Sequence, residues 1–538
     1  MTGLAQHLLV VPVLLPLSAA VAMLLLGQGR RIGKAVLNVI ATLAGLAVAV
    51  TLAQQAGAAG AGHVATYLAA NWPAPFGIVL VLDRLSAAML LLTAVLALAA
   101  VLYSLARWHR SGLHFHPLFQ LQLMGLNGAF LTGDLFNLFV FFEVMLVASY
   151  GLVLHGSGRA RVTAGLHYIV VNLAASLLFL LGVGLVYGAC GTLNLADLSQ
   201  RIPHLAGTDR ALLEAGAGLL GIAFLTKAGL WPLSFWLPGT YTAASAPVAA
   251  LSAVLTKVGV YVVLRTWLLL FGAGAGASAG FGADALLWGG LATLVVGSIG
   301  ALASQDLGRL VASCVLVSSG TVLAVAATAD AGVVAGALFY LVCSTLALGA
   351  LFLLRELVER ARGPGADVLA VTREAFGDPE EDSIEDEIGI AIPGAMALLG
   401  LGFLAAALVV AGLPPLAGFL GKFAVFDALM AAAPLAAAPL RSGVLVAALL
   451  ASSLALLVAL ARAGIHAFWL PAGAPPRVRV IEILPVALLL AACVLLTVRA
   501  GPALDYLRAA ATDIAHPAAQ AQAVLSAQPV TRAGQGAP

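Results

Sequence analysis

From residue 5 to residue 499 the chain alternates between apolar runs of roughly twenty residues and short polar connections. An α-helix rises 1.5 Å per residue, so about 20 apolar residues cross the ~30 Å hydrocarbon core of a bilayer. The pattern predicts transmembrane helices near 5–27, 35–53, 79–105, 117–133, 134–155, 165–188, 211–230, 243–268, 283–303, 308–329, 332–354, 391–429, 442–461 and 480–499. The expected fold is therefore an all-α polytopic membrane protein of about fourteen spans. The run at 391–429 is too long for one simple crossing and carries Pro414-Pro415, so it predicts a broken helix. The first run has no basic residues before it, while Arg30, Arg31 and Lys34 follow it, as expected of a retained first helix rather than a signal peptide.

Two segments depart from the pattern. Residues 355–388 form the longest hydrophilic connection and include EAFGDPEEDSIEDE, which predicts a solvated loop or a docking surface for a neighbouring subunit. Residues 511–538, rich in Ala, Gln and Pro, predict a flexible tail beyond a transmembrane domain spanning 1–510.

Composition supports the membrane assignment. Of 538 residues, 62% are hydrophobic and 9% charged, against roughly 25% charged in soluble domains. The net charge of +2 gives no basic field for nucleic acid. Position matters more than sum: fifteen Lys and Arg fall on odd-numbered connections, seven on even-numbered ones and four inside spans. By the positive-inside tendency, both termini face outward. Cys190, Cys314, Cys343 and Cys493 sit in apolar runs without metal-like spacing and read as small packing residues.

A short internal repeat marks two interruptions. Ala228-Gly229-Leu230-Trp231-Pro232-Leu233 recurs as Ala411-Gly412-Leu413-Pro414-Pro415-Leu416. Proline removes a helical hydrogen bond, and lipid cannot satisfy the freed carbonyls. Paired interruptions in two halves of a membrane protein point to a transport pathway. A lysine accompanies each: Lys227 before the first, Lys422 after the second.

Glu143 and Lys257 also lie deep within spans. An ionised side chain at mid-bilayer costs at least about 2.5–3.5 kcal/mol. Burial moves lysine and carboxylate groups toward neutrality at physiological pH, where a group can gain and lose a proton in one cycle. Glu143, Lys227, Lys257 and Lys422 are the expected proton relay; a Glu–Lys pair that only holds helix register would leave two lysines unexplained. Secondary polar candidates for a hydrated path are Gln120 and Asn127 on one helix face, Asn172 and Ser176 on another with His167 offset, and Tyr340 with Ser344. Each could equally make an interhelical hydrogen bond. Asp83-Arg84 reads as a local interfacial pair, and Asp134 as a helix N-cap. The sequence holds no phosphate loop, dinucleotide fingerprint or zinc-spaced Cys/His set, so no cofactor is expected and the driving force is an ion gradient or a partner.

The stretches FLTGDLFNLFVFFEVMLVASYGL, AFLTKAGLWPLSFWLPGTYTAASAPVAALSAVLTKVGVYVVLR and AGLPPLAGFLGKF resemble the antiporter-like subunits shared by respiratory complex I and Mrp-type antiporters. FFEVMLVASYGL and the acidic connection make the chain look more like the D subunits of Mrp (Pha) monovalent cation/proton antiporters than like complex I relatives. The resemblance implies two inverted five-helix repeats with broken seventh and twelfth helices, and maps the family's key Glu and lysines onto Glu143, Lys227, Lys257 and Lys422. It implies exchange of Na⁺, in some members K⁺ or Li⁺, for protons within a hetero-oligomer of Mrp-type subunits in a bacterial inner membrane. Relatives often carry His or Lys on the eleventh helix; here that helix reads YLVCSTLALGALFLL, leaving water, Ser344 and Tyr340 to bridge Lys257 and Lys422. Oxygen ligands suit alkali cations, so Glu143 is the one relay member that could contact the cation. A proton-pumping subunit of a redox-driven complex and a structural scaffold are the competing classes.

Overall fold

The computed structural model describes residues 7–529 apart from 361–393, 432–438, 469–477 and the single positions 28, 59, 61, 63, 111, 113 and 157. Most of the acidic connection, including EAFGDPEEDSIEDE, therefore lies outside the described residues.

The apolar runs form helices in the predicted order. The first half holds α1 (Val11–Leu25), α2 (Arg31–Ala58), α3 (Arg84–Ser104), α4 (Phe115–Leu131), α5 (Leu135–Val153), α6 (Arg159–Cys190) and the short α7 (Leu195–Arg201). Then come α8 (Gly207–Ala228), the eight-residue α9 (Trp236–Ala243), α10 (Ala246–Leu270), α11 (Ala283–Ala303), α12 (Leu307–Ala326) and α13 (Ala331–Glu359). The last part comprises α14 (Gly394–Ala411), α15 (Ala417–Ala431), α16 (Pro439–Phe468), α17 (Val480–Val498), α18 (Ala500–Ala515) and α19 (Pro517–Leu525). Twelve helices among the described residues are long and apolar enough to cross a membrane. The central helices α10, α12 and α13 are buried along nearly their whole length, whereas α2, α6 and α17 expose apolar faces. A helix that is apolar all round belongs at the centre of a bundle.

Both predicted breaks are present and terminate alike. At the end of α8, Gly229 adopts a left-handed conformation (φ 73°), the Leu230 N–H donates to Leu225 O and the Gly229 N–H to Thr226 O. At the end of α14, Gly412 is left-handed too (φ 79°), and the N–H groups of Leu413 and Gly412 repeat these bonds to Leu408 O and Val409 O. This Schellman pattern needs a residue without a Cβ at the left-handed position, hence glycine in both copies. Side chains from neighbouring helices satisfy the interrupted backbone. Thr293 Oγ1 accepts from the Trp231 N–H (2.7 Å), and Thr497 Oγ1 from the Ala417 N–H (2.9 Å).

Four features differ from the sequence expectation. A two-stranded antiparallel hairpin, β1 (Ala65–Leu68) and β2 (Val79–Leu82), interrupts the otherwise helical chain. It is stitched to the 132–134 connection by the Gly133 N–H donating to Val79 O. Asp83 and Arg84 do not pair with each other: Asp83 caps α3 through Ser86 and pairs with Arg265, while Arg84 pairs with Asp513 at 2.6 Å. Arg265, one of the seven basic residues counted with the even-numbered connections although it falls near the end of the predicted span 243–268, lies buried inside α10. The tail expected to be flexible from 511 is helical and packed through Leu525, because Asp513 is held by Arg84 and Gln520 donates to Asp83 at 3.2 Å. Asp134 caps α5 as expected, and the four cysteines are buried and unpaired.

Candidate functional site

The four ionisable candidates fall inside the bundle. Lys227 occupies the last turn of α8, just before the first break, and is 4% exposed. Its Nζ lies 5.3 Å from the centroid of Phe142 on α5 and has no hydrogen-bond partner. Phe142 is held by edge-to-face contacts with Phe179 and Phe224, which aim its ring face at the ammonium. Glu143 follows Phe142, is half-buried, and its Oε1 is also buried without a partner. No ion pair joins Glu143 to Lys227 among the described residues, although Lys227 sits over the ring of the residue next to Glu143. The two groups are neighbours kept out of contact.

Lys257, at the centre of α10, is fully buried. Its Nζ donates to Ser318 Oγ and Ser319 Oγ of α12, both at 2.9 Å. Ser318 Oγ in turn meets Ser344 Oγ of α13 at 2.8 Å. One turn earlier on α13, the Tyr340 ring lies 5.2 Å from Lys422 Nζ, and the Tyr340 hydroxyl is buried without a partner. Lys422 on α15 reaches back to the second break, donating to Ala411 O (3.1 Å) and to Ser453 Oγ of α16 (2.8 Å). The structure thus forms two polar groups, Lys257–Ser318–Ser344 and Tyr340–Lys422–Ser453, one turn of α13 apart, with no hydrogen bond joining them among the described residues. Tyr340 and Ser344 occupy one face of the helix that carries no His or Lys, one helical turn apart.

Glycines allow the close approaches. A Cβ at Gly259, two residues beyond Lys257, would lie 2.5 Å from Ala228 N, so α8 ends directly against α10. A Cβ at Gly421 would lie 2.9 Å from the Tyr340 backbone, which seats Lys422 over that ring. No hydrogen-bonded link joins Lys227 to Lys257 among the described residues.

His167 belongs to neither polar group. It is exposed and lines a surface groove of ≈ 580 Å³ between α6 and α9 together with Thr163 and Trp236. Asn172 and Ser176 are buried on α6; a five-residue offset turns His167 about 140° away from Asn172 at 3.6 residues per turn. Sequence reasoning missed Ser318, Ser319 and Ser453. The available signal was a Ser-Ser pair inside an apolar span, at 318–319 and again at 452–453. Among the described residues no cluster of three or more His, Cys, Asp or Glu could hold a metal ion.

Fold and site together define a polytopic helical membrane protein that holds ionisable groups at two helix breaks. The sequence matches the family described as NADH:quinone oxidoreductase/Mrp antiporter, transmembrane, over residues 132–449, and the chain belongs to that family. It is 57% identical over 534 residues (98% of this chain, 99% of the relative) to the D subunit of a probable K⁺/H⁺ antiporter from Rhizobium meliloti. It is 33% identical to the D subunit of the Na⁺/H⁺ antiporter from Bacillus subtilis, covering 86% of this chain and 87% of the relative. Its fold superposes on a chain of the Mrp complex of Dietzia sp. with a TM-score of 0.81 at 25% identity, over 98% of this chain and 100% of that one.

Proposed function

We propose that the chain is a D-type membrane subunit of a multisubunit monovalent cation/proton antiporter, and that Glu143, Lys227, Lys257 and Lys422 carry its protons. The observation that carries the relay is the hydrogen-bonded chain Lys257–Ser318–Ser344, which ends one turn of α13 from the Tyr340 ring that Lys422 overlies. Hydroxyls can both accept and donate, so a proton leaving Lys257 has an acceptor on the side facing Lys422. At the other end, Glu143 and Lys227 lie near each other without an ion pair among the described residues. A shift in their separation would therefore load or release the Lys227 proton. Potassium is the favoured cation, the ion named for the antiporter of the relative at 57% identity; sodium is the second reading, carried by the Bacillus subtilis relative.

Fourteen crossings follow if α1 (15 residues) and α4 (17 residues) span the membrane beside the twelve long helices. The odd-numbered connections gather on one face. There Arg161 donates to Ala243 O, Arg355 to Thr242 O, and Arg360 pairs with Glu482 at 2.8 Å. That face carries the excess of Lys and Arg, which supports its placement in the bacterial cytoplasm with both termini outside. The equivalent Schellman breaks at Gly229 and Gly412 support two inverted repeats. The acidic connection would dock a neighbouring antiporter subunit.

The test is cation-dependent proton flux in vesicles holding the whole complex, with K⁺ and Na⁺ compared at equal concentration. The reading predicts flux with at least one of the two and none with an impermeant organic cation. Copurifying flavin and iron–sulfur subunits would assign the chain instead to a redox-driven pump. Within the same assay, Ser318→Ala should slow flux about threefold, the equivalent of one interhelical hydrogen bond of roughly 0.6 kcal/mol. Unchanged flux would remove Ser318 from the path.

A further inference from the structure

A second polar site lies outside the lysine relay, where α1, α2, α3 and α4 meet. A cavity of ≈ 30 Å³ is lined there by Thr42, Thr93, Gln120 and Asn127 among apolar and proline side chains. The hydrogens of these groups are largely committed elsewhere. Thr42 Oγ1 donates to Asn38 O (2.8 Å) and Thr93 Oγ1 to Met89 O (2.8 Å). Gln120 Nε2 donates to Asn38 Oδ1 (2.6 Å) and Thr42 Oγ1 (3.0 Å). Asn127 Nδ2 donates to Pro12 O (2.8 Å), the carbonyl that Pro16, lacking an N–H, leaves without a helical partner. Asn38 Nδ2 lies 2.8 Å from His116 Nδ1, which orients the Asn38 amide and through it that of Gln120. Both amide nitrogens are thereby turned to protein acceptors.

With those hydrogens committed, what the polar lining residues offer an occupant is neutral oxygen: the Thr42 and Thr93 hydroxyls and the Gln120 and Asn127 amide carbonyls. A water molecule donates two hydrogen bonds and would leave acceptors unsatisfied. A cation engages all four. The absence of a carboxylate from the lining disfavours a divalent ion, whereas neutral oxygens can replace the hydration shell of an alkali cation. The volume admits about one water-sized guest, so the ion would enter largely dehydrated.

We propose that this cavity is a coordination site for one alkali-metal cation, held by the oxygens of Thr42, Thr93, Gln120 and Asn127. It rests on the antiporter reading only for the choice of ions to test. It places the cation on a different helix group from the proton relay, so that the two ions occupy separate parts of this chain.

The experiment is equilibrium binding of radioactive rubidium or sodium to the purified whole complex, comparing wild type with Thr93→Val, Thr93→Ser and Lys227→Ala. Valine keeps the shape of threonine and removes only the oxygen; the Thr93 hydroxyl donates within its own helix, so no neighbouring helix loses a partner. The wild type should bind saturably. Thr93→Val should weaken one class of sites at least about tenfold, and Thr93→Ser should restore it. Lys227→Ala, expected to lose flux, should bind as the wild type does, which separates failure of this site from failure of the relay. Unchanged binding in Thr93→Val would mean that the cavity holds water only and would overturn the proposal. Loss of binding in Lys227→Ala would place the cation on the lysine relay and overturn it equally.

Discussion

Lys227→Ala is expected to reduce cation-dependent proton flux by at least about a hundredfold, the scale of a lost proton-transfer group, while the complex still assembles. The ammonium has no hydrogen-bond partner, so its removal leaves no acceptor orphaned in the bundle. The structural loss is limited to side-chain packing and the contact with Phe142, the latter about 0.5–2 kcal/mol. The decisive arm is Lys227→Arg. Arginine keeps the positive charge but cannot be deprotonated in a protein. If Lys227 only balances Glu143 and holds helix register, Arg should rescue flux; if it passes protons, Arg should fail like Ala. Flux near the wild-type rate in an assembled Lys227→Arg complex would sink the relay.

The second large effect is on stability. Asp83→Ala should destabilise the chain by about 3–5 kcal/mol, because it leaves the Arg265 guanidinium buried inside α10 without its counter-charge. It also removes the α3 capping box and the acceptor of Gln520, so the C-terminal helices should loosen together with α3. Thermal unfolding of the detergent-solubilised complex, with limited proteolysis after residue 500, measures both. An unchanged melting temperature would refute the lock. The pH dependence has a defined sign. Burial opposes ionisation of Asp83, yet the Arg265 charge and the hydrogen bonds from Ser86 hold its carboxyl below the usual carboxylate range. A folded-state pKa that is lowered contributes stability above the unfolded value of about 3.9, lost as pH falls below it through the folded pKa. Acidification through that window should therefore loosen the wild type and change Asp83→Ala less.

The same lock shows why composition misleads at the end of the chain. Residues 511–525 are rich in Ala and Gln and lack an apolar run, which suggests a tail. Their order comes from Asp513 meeting Arg84 and Gln520 meeting Asp83, partners more than 400 residues away. Neither partnership has a local signature. His167 departs from expectation for a related reason: the sequence places it near Asn172 along the helix, but the face it occupies is decided by which neighbours α6 packs against.

The spans, the two breaks and the four ionisable candidates were legible because each is a local exception to a strong rule. Hydrocarbon demands about 20 apolar residues per crossing, forbids unsatisfied backbone and penalises charge, so every departure stands out in a single chain. What only the tertiary structure decided is which groups meet. Serine is ordinary in an apolar helix, and Ser318, Ser344 and Ser453 acquire meaning only when α10, α12, α13, α15 and α16 are packed. Likewise Gln120 and Asn127 were visible as one polar face, but their turned amides and the oxygen-lined cavity depend on Asn38, Thr42, Thr93 and Pro12 from three other helices. Local chemistry marks the exceptions along a membrane chain; long-range packing assigns their partners.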